Sequence, residues 1–422
     1  MGLARGIRVF PRSMPPLASI NTGEPRARGN FREIALLFLR LGCISFGGPV
    51  AHLGYLREEF VSRRQWLDDE AYTDFIALCQ FLPGATSSQM VFALGMLRAG
   101  HFGGVLASVC FTLPSALLMI LFAYSVSAAG NLHHHGWIHG LKLAAVAVVA
   151  QAVWGMGRTL CPDAARICTA LAAAMITLLI PGSLGQIGIL IAGGVIGWLI
   201  YYGRPVTSIA ATGKIPPALQ QDHLLAFGLL ILFFFLLLIL PLFASGGGFW
   251  LPLLTGFYHA GSLVFGGGHV VLPLLRSQLV GHGWIGNDAF LAGYGAVQAM
   301  PGPLFTFAAY LGTVITGGSH AWVGGVWCLL ALFLPSWLLV AGILPYWDQL
   351  RGERWARASM LGINAAVVGI LLAALYKPLW KESISSLGDV LVVIGIFGLL
   401  SPLKVPPWIV VILAAVIGQL FL

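Results

Sequence analysis

Residues 45–59 read SFGGPVAHLGYLREE, and residues 264–278 read VFGGGHVVLPLLRSQ. Both stretches carry a phenylalanine, two glycines, two leucines and an arginine at corresponding positions, and the offset from Phe46 to Phe265 holds for all six. A register that is kept over stretches of roughly 200 residues indicates two copies of one unit. In a membrane protein, such a duplication is typical of a transporter whose binding site lies where the halves meet.

Further motifs keep nearly the same register along the chain. A Gln-Xaa-Xaa-Pro-Gly motif occurs at residues 80–84 and again at 298–302. A Leu-Pro-Ser motif ends the stretches FTLPS at 111–115 and LFLPS at 332–336. The duplication therefore extends through both halves of the chain.

The composition places the chain in a membrane. Hydrophobic residues make up 58% of the chain and charged residues 9%, whereas a soluble domain carries about 25% charged residues. The uncharged stretch 224–244 is long enough to cross ~30 Å of hydrocarbon. The other apolar stretches occur at residues 34–56, 71–97, 102–128, 138–160, 165–181, 184–203, 251–275, 289–315, 321–346, 358–376, 387–401 and 404–422. We therefore predict an all-α polytopic membrane protein with about thirteen transmembrane segments.

Basic residues predict the orientation of the chain. Cytoplasmic loops carry an excess of Lys and Arg, and the N-terminal tail contains Arg5, Arg8, Arg12, Arg26, Arg28 and Arg32. We therefore place the N-terminus in the cytoplasm and, after thirteen crossings, the C-terminus outside. Two loops fit this count poorly, because Arg57, Arg63 and Arg64 in one, and Lys377 and Lys381 in the other, then lie outside.

The position of the stretch 224–244 predicts that the two repeats are inverted. If the first half has six segments, this seventh segment makes the second half start from the opposite side. Equivalent loops, such as 158–166 and 377–381, then lie on opposite sides. The predicted organisation is a basic cytoplasmic tail at residues 1–31, a first repeat at 32–203, a linker with the inverting segment at 204–250 and a second repeat at 251–422.

Each copy carries a glycine-rich break in its first segment, Gly47-Gly48-Pro49 in one and Gly266-Gly267-Gly268 in the other. Gly and Pro do not sustain an ordinary helix, and broken backbone within hydrocarbon is stable only where it is buried in protein or lines a cavity. The freed N–H groups and half-helix N-termini then favour an anion. Close helix packing through small residues is the alternative explanation, but the duplication favours a binding site.

A second break occurs in each copy, at Pro83-Gly84 and at Pro301-Gly302-Pro303. The first is followed by the run Thr86-Ser87-Ser88-Gln89, whose hydroxyl and amide groups can replace the hydration of an oxyanion. The second has only Thr306 as a counterpart, which predicts an asymmetric site. The segments 71–97 and 289–315 are either broken spans or re-entrant pairs of half-helices, and the sequence leaves both open.

Longer polar side chains lie near these breaks. Gln80 and Gln298 precede the two Pro-Gly pairs, where substrate contact and interhelical hydrogen bonding are both compatible with a glutamine. Arg40 lies inside the first segment and indicates function, unless its side chain snorkels to the nearby membrane surface. Arg57 and Arg276 occupy matching positions and either draw an anion in from opposite sides or anchor helix ends at the interface.

Several classes of protein are disfavoured by what the sequence lacks. It has no P-loop, HExxH or GxSxG motif, which disfavours an ATPase and an enzyme. No pair of acids lies in an apolar stretch, whereas a proton-coupled cation carrier usually has an Asp or Glu at mid-membrane. Six cysteines without a CxxC pair predict neither a disulfide framework nor a metal site. The net charge of +8 reflects membrane orientation and not nucleic-acid binding.

The stretch 38–89, FLRLGCISFGGPVAHLGYLREEFVSRRQWLDDEAYTDFIALCQFLPGATSSQ, with FTLPS after it, resembles the chromate ion transporter family in its long two-domain form. FGGGHVVLPLL and AMPGPLFTFAAYLG in the second copy look like the other half of that family, so the resemblance covers residues 32–422. One departure is Ala85, where the family often has a proline and the second copy keeps Pro303. The family's motif residues carry over as Phe46, Gly47, Gly48, Pro49, Gln80, Pro83, Gly84, Phe265, Gly266, Gly267, Pro301, Gly302 and Pro303.

This resemblance implies export of chromate from the cytoplasm across a bacterial-type inner membrane, which confers chromate resistance, with sulfate as a competing isosteric oxyanion. We predict a secondary transporter that alternates access about a midplane site, and a sulfate or other oxyanion permease or channel is the alternative. The expected partners are chromate, sulfate, membrane lipid and a second copy in a homodimer, without cofactor, metal or nucleic acid. The residues predicted to bind the anion are Ser45, Phe46, Gly47, Gly48, Pro49, Gln80, Pro83, Gly84, Thr86, Ser87, Phe265, Gly266, Gly267, Gly268, Gln298, Pro301, Gly302, Pro303, Arg40, Arg57 and Arg276.

Overall fold

The structure, a computed structural model, describes residues 30–129, 136–180, 182–203, 223–244 and 248–421, with the backbone alone at residues 49, 50, 183 and 184. Within these ranges the chain is helical and forms no strand, so the predicted all-α class is confirmed. Most of the tail predicted at residues 1–31, and the greater part of the loop within the linker predicted at 204–250, lie outside the described residues.

The helices follow the predicted duplication. The first half and the linker contain α1 (Phe31–Ile44), α2 (Gly48–Arg57), α3 (Asp69–Phe81), α4 (Thr86–Ala129), α5 (Gly136–Leu160), α6 (Ala164–Leu179), α7 (Ser183–Tyr201), α8 (His223–Leu238) and α9 (Leu240–Ala244). The second half contains α10 (Trp250–Ser262), α11 (Val271–Leu279), α12 (Asn287–Val297), α13 (Phe307–Thr316), α14 (Ala321–Ile343), α15 (Trp347–Leu350), α16 (Arg354–Ala374), α17 (Lys381–Ser383), α18 (Leu387–Leu400) and α19 (Pro407–Phe421). Side chains that accept a backbone N–H cap the starts of several helices, namely Asn30, Asp68, Asp163 and Ser386.

The first two helices form a pair of half-helices that folds back on itself. α2 continues through a π-helical turn, which brings the ring of Phe60 to 5.3 Å from the ring of Phe38 on α1. The guanidinium of Arg64 reaches the carboxylate of Glu33, in the first turn of α1, at 2.9 Å. The chain therefore leaves this pair on the side at which it entered.

The next two helices form a second pair of the same kind. The N-terminal part of α4 (residues 86–98) runs back along α3, and the guanidinium of Arg98 lies 5.2 Å from the ring centre of Trp66, which precedes α3. Ala99 and Gly100 then leave the helical conformation and reverse the chain. The rest of α4 (residues 101–129) consequently crosses the molecule.

The second half repeats both pairs. A Cβ atom at Gly256 of α10 would lie 3.7 Å from Cβ of Gln278, just before the last residue of α11. The hydroxyl of Tyr310 on α13 donates to the carbonyl oxygen of Ala289 at the start of α12 at 2.7 Å. The segments that the sequence left undecided are therefore re-entrant, and the two glycine-broken segments fold back in the same way.

The remaining apolar segments run from one side of the molecule to the other. Four helices in the described ranges are long and apolar enough to cross a membrane, namely Thr86–Ala128, Gly136–Leu160, Ala321–Leu350 and Arg354–Ser383. Shorter apolar helices pack beside them, α6 and α7 on α16, and α18 and α19 on α5. The predicted apolar segments are confirmed as helical. Four of them, at residues 34–56, 71–97, 251–275 and 289–315, each form a pair of half-helices that folds back and does not cross.

The fold-back pairs of the two halves open to opposite sides. Arg98 lies at one end of the crossing part of α4, which is roughly 40 Å long. Near its other end, the hydroxyl of Tyr124 donates to the carbonyl oxygen of Ser319 and accepts from the N–H of Trp322, both at 3.1 Å. Ser319 and Trp322 lie where the second-half pairs join α14. We call the side of Arg98 the N-side and the side of Ser319 the C-side, and the predicted inversion of the repeats is confirmed.

The fold-back corrects the predicted side of three arginines. Arg57, Arg63 and Arg64 were expected opposite the N-terminal tail, because the segment 34–56 was counted as a crossing. The ion pair between Arg64 and Glu33 places this loop on the N-side, where α1 begins. Two crossings are lost from each half, so an even number remains in the first half and the inversion is unchanged.

Candidate functional site

The ends of the fold-back pairs meet between the two halves. The N–H of Gly84 donates to the carbonyl oxygen of Val264 at 2.6 Å, and the N–H of Gly302 donates to the carbonyl oxygen of Ser45 at 2.7 Å. Each bond joins the Pro-Gly break of one half to the glycine-rich break of the other half. The two bonds occupy matching positions, so they relate the halves by the same approximate symmetry as the sequence repeat.

Both Pro-Gly breaks turn at a glycine whose neighbours leave no room for a side chain. Gly84 has a φ of +139° and Gly302 a φ of +96°, a region that residues with a Cβ rarely adopt. A Cβ at Gly84 would overlap the hydroxyl of Ser336, and a Cβ at Gly302 would lie 2.8 Å from the hydroxyl of Ser115. Each serine belongs to the other half. Neither was predicted from the sequence, although the duplicated Leu-Pro-Ser motif was a signal for both.

We call residues 83–89 the first tip. A buried histidine on α2, His52, contacts it from the glycine-rich break of the same half. Its Nε2 lies 2.9 Å from the carbonyl oxygen of Ser45, and its Nδ1 lies 3.4 Å from the hydroxyl of Ser87. With the proton on Nε2, His52 donates to Ser45 and accepts from Ser87. Thr86 is partly buried beside them.

Four helices begin at these breaks or directly after them. α2 begins at Gly48 directly after Gly47 and has Pro49 in its first turn, while α4 begins within the first tip. In the second half, the 3₁₀ turns Gly268–Val270 and Leu304–Thr306 lead into α11 and α13. Because unpaired N–H groups give a helix N-terminus a partial positive charge, this arrangement favours an anion.

The two glycine-rich breaks have different surroundings. A Cβ at Gly48 would have no neighbour within 4 Å, and the ring of Phe46 packs on α19. A Cβ at Gly266 would lie 3.3 Å from Met156 and 3.5 Å from the side-chain oxygen of Asn364. Open space therefore adjoins the first break, and side chains of α5 and α16 line the second.

We call residues 301–307 the second tip. A Cβ at Gly268 would lie 3.6 Å from Leu304, so the two breaks of the second half also touch. The hydroxyl of Thr306 donates to the carbonyl oxygen of Pro303 at 2.9 Å and so caps its own turn. The other residues predicted here are at least partly buried, namely Phe265, Gly267, Pro301 and Pro303.

The matched glutamines lie in different environments. Gln80 is exposed at the end of α3. Gln298 is partly buried, and its Nε2 has no hydrogen-bond partner among the described residues. One helical turn earlier on α12, the hydroxyl of Tyr294 lies 2.9 Å from Nδ1 of His269. The two glutamines at matching positions therefore differ in exposure and in their neighbours.

The three arginines predicted for the site lie away from the two tips. Arg57 pairs with Asp69 at 2.6 Å on the N-side, and Arg276 pairs with Glu382 at 2.9 Å on the C-side. Arg40 is exposed on α1. Of the two roles predicted for Arg57 and Arg276, anchoring of helix ends fits these ion pairs.

Two ion pairs link the halves on either side of the tips. On the N-side, Arg351 of the second half donates to the carboxylate of Asp74 on α3, which is fully buried. On the C-side, Lys142 of α5 pairs with Asp288 of α12 at 2.7 Å. Each pair connects the second fold-back pair of one half to the body of the other half.

The groups gathered at the tips are backbone N–H groups, hydroxyls, amides and an imidazole. These are hydrogen-bond donors that can surround an oxyanion without a fixed opposite charge. In the part of the chain that the structure describes, no group of three or more His, Cys, Asp or Glu residues could hold a metal ion.

Comparisons with known proteins follow the same division into halves. The chain matches the family described as Chromate transporter over residues 32–198 and again over residues 251–419. It is 25% identical to the probable chromate transport protein of Synechococcus elongatus over 413 residues, which cover 93% of this chain and 96% of the relative. The chromate transport protein of Pseudomonas aeruginosa is 27% identical over 81% of this chain and 79% of its own length. That of Cupriavidus metallidurans is 26% identical over 88% of both chains. No solved structure gives a significant match.

Proposed function

The chain belongs to the chromate transporter family, and we propose that it exports chromate from the cytoplasm by alternating access about the two tips. The observation that carries this proposal is the pair of hydrogen bonds by which Gly84 and Gly302 each reach the other half. Transporters built from inverted repeats bind their substrate between the repeats, at discontinuous helices whose N-termini face anionic groups. The tips supply that combination.

The donors at the tips suit an anion that must be released again. Chromate is a tetrahedral dianion, and helix N-termini together with the hydroxyl of Thr86 can replace part of its hydration. A site made of neutral donors holds the anion less firmly than a fixed arginine would, and transport requires that binding be weak enough for exit. The absence of the predicted arginines from the tips fits this requirement.

Because the repeats are inverted, the protein has one set of fold-back pairs open to each side of the membrane. The first-half pairs open to the N-side and the second-half pairs to the C-side, with the tips between them. The ion pairs Asp74–Arg351 and Lys142–Asp288 link the halves on either side of the tips, and in the proposed cycle each pair closes the route on its own side. In the proposed cycle, one side loosens while the other stays closed, as expected for rocking of inverted repeats.

We place the N-side in the cytoplasm of a bacterial-type cell, with the protein in the inner membrane. The positive-inside rule supports this orientation, because the side richer in Lys and Arg faces the cytoplasm. Basic residues of the N-side loops and helix ends are Arg32, Arg57, Arg63, Arg64, Arg98, Arg158, Arg166, Arg351, Arg354, Arg357 and Lys404. Those toward the C-side are Lys142, Arg276, Lys377 and Lys381.

The membrane potential favours export in this orientation. Moving one elementary charge through 100 mV is worth about 2.3 kcal/mol, so an inside-negative potential favours outward movement of a dianion by about 4.6 kcal/mol per 100 mV. Coupling to protons is therefore not required for export.

Chromate flux in proteoliposomes tests the proposed function. A potassium gradient with valinomycin sets the potential, while the pH is equal on both faces. We expect chromate to move toward the positive side, and we expect the direction to reverse with the potential. A pH gradient at fixed potential should leave the rate unchanged. Flux no greater than in protein-free vesicles would contradict the proposal.

Sulfate transport by a permease or channel is the alternative function. Sulfate is also a tetrahedral dianion, so the same donors can bind it. Labelled sulfate in the same vesicles separates the two functions. We expect sulfate to compete with chromate, whereas sulfate movement without any chromate movement would show that chromate is the wrong substrate.

A further inference from the structure

The serines that end the two Leu-Pro-Ser motifs differ in their hydrogen bonding. The hydroxyl of Ser115, beside the second tip, donates to the carbonyl oxygen of Thr112 one turn earlier at 3.1 Å. The hydroxyl of Ser336, beside the first tip, has no partner among the described residues, although the residue is 1% exposed. The same motif therefore leaves a free buried hydroxyl at one tip only.

Ser336 lies next to a second buried group with unused hydrogen-bonding capacity. A Cβ at Gly84 would overlap both the hydroxyl of Ser336 and Nε2 of Gln89, so the two side chains flank the same glycine. Gln89 is fully buried and donates one Nε2 hydrogen to the carbonyl oxygen of Pro83 at 2.8 Å. Its other Nε2 hydrogen and its Oε1 have no partner among the described residues.

The backbone of the first tip adds further donors. The N–H groups of Ala85, Thr86 and Ser87 donate to no acceptor within the described part of the chain. At the position that matches Ala85, the second tip has Pro303, which lacks an N–H. The second tip also uses the hydroxyl of Thr306 to cap its own turn. The N–H groups of Leu304 and Phe305 likewise donate to no acceptor among the described residues, so the first tip exceeds the second by the N–H of Ala85 and by the side-chain donors of Ser336 and Gln89.

We propose that the oxyanion binds at the first tip alone, where Ser336 of the second half and Gln89 of the first half are ligands together with the N–H groups of Ala85, Thr86 and Ser87. The proposal rests on the proposed function and adds the residues and the tip that hold the anion. Leaving buried donors unpaired costs free energy, and an oxyanion with four oxygens removes that cost by accepting from several of them. At the second tip, the hydroxyls of Thr306 and Ser115 are already paired, so we assign this tip a structural role.

The two serines provide a matched pair of variants. Ser336→Ala removes the unpaired hydroxyl, and Ser115→Ala removes its paired counterpart from the other half. In proteoliposomes under a set potential, we expect Ser336→Ala to raise the KM for chromate by about tenfold, the loss expected for one hydrogen bond to a charged group. Ser115→Ala should leave the KM within about twofold of the wild-type value. Equal KM values for the two variants would overturn the proposal.

A binding readout separates a ligand from a structural residue. Chromate should raise the melting temperature of the detergent-solubilised wild-type protein and of Ser115→Ala, because a ligand that binds only the folded state stabilises it. The shift should be much smaller for Ser336→Ala, whose melting temperature without chromate should not fall, since no hydrogen bond is lost. A full chromate shift in Ser336→Ala would show that this hydroxyl holds water instead of the anion, and would overturn its assignment.

Ala85→Pro provides a second, independent variant. It removes one backbone N–H and introduces the residue that the second tip already contains at this position. We expect a raised KM with correct membrane insertion, and an unchanged KM would contradict a role for this N–H. If the wild-type protein neither transports chromate nor is stabilised by it, the proposed function fails and this inference fails with it. If the wild-type protein transports chromate and the variants match it, only this inference fails.

Discussion

At the scale of the residue, the glycines at the two tips connect the halves through their backbone. Gly84 and Gly302 donate their N–H groups to Val264 and Ser45, at 2.6 and 2.7 Å. Both glycines have a positive φ, and a serine from the other half occupies the space beside each. The close approach of the halves therefore depends on the absence of a side chain at these two positions.

Gly84→Ala tests this dependence. A residue with a Cβ in such a backbone conformation costs roughly 1–3 kcal/mol, and the added methyl group would also overlap Ser336 and Gln89. We expect chromate flux per reconstituted protein to fall by at least about tenfold, the equivalent of roughly 1.4 kcal/mol. Flux in proteoliposomes and the elution profile in detergent are the measurements.

Gly54→Ala is the matched control for this change. Gly54 lies within α2, and a Cβ there would have no neighbour within 4 Å. Replacement of a helical glycine by alanine stabilises a helix slightly, so flux should stay at the wild-type level. Wild-type flux in Gly84→Ala would show that the contact between the halves is not needed for transport.

The repeat predicted the positions of the backbone breaks, but it did not predict the environments of single side chains. The duplicated Gly and Pro residues identified both breaks, and the missing proline at Ala85 predicted that the halves differ. The repeat also places Gln80 and Gln298 at matching positions, but one is exposed and the other partly buried. Matching positions share a backbone conformation, whereas the neighbours that determine a side chain's environment come from other parts of the chain.

At the scale of the element, the fold-back pairs were the feature that hydropathy could not resolve. A re-entrant pair of half-helices has about the same length and apolar content as one crossing helix. The deciding contacts join residues on different half-helices, such as Phe38 with Phe60 and Arg64 with Glu33. Three arginines in a loop predicted to lie outside were the sequence signal for the fold-back, because they conflict with the positive-inside rule.

The ion pair between Asp74 and Arg351 holds a fold-back pair of the first half against the second half. Arg351→Ala would leave the fully buried carboxylate of Asp74 without its partner. Removing one partner of a buried pair costs about 3–5 kcal/mol, and because Arg351 is partly exposed we expect a loss of about 3 kcal/mol in the free energy of unfolding. Thermal unfolding in detergent measures this loss.

A second change determines whether the loss comes from the unpaired charge. Asp74→Asn combined with Arg351→Ala removes both charges, so the double variant should be more stable than Arg351→Ala alone. Equal stability of the single and double variants would show that the ion pair does not hold the halves together.

At the scale of the whole molecule, the inversion was predictable because it depends only on whether the number of crossings is odd or even. Counting two fold-back pairs as crossings in each half changed the total but not its parity. The stretch 224–244, which forms α8 and α9, then carries the chain to the C-side before the second copy begins. The meeting of the tips was less accessible from the sequence, since it depends on how the inverted halves pack.

Cysteine labelling from each side of the membrane tests the inverted, re-entrant arrangement most directly. Single cysteines replace the exposed residues Ser62, Thr159 and Ser385 in a variant without the six native cysteines. A membrane-impermeant maleimide is applied to sealed, uniformly oriented vesicles. We expect Ser62→Cys and Thr159→Cys to react from one side, and Ser385→Cys only from the other. Reaction of Ser62→Cys from the side of Ser385→Cys would contradict the fold-back, and reaction of Thr159→Cys and Ser385→Cys from one side would contradict the inversion on which the account rests.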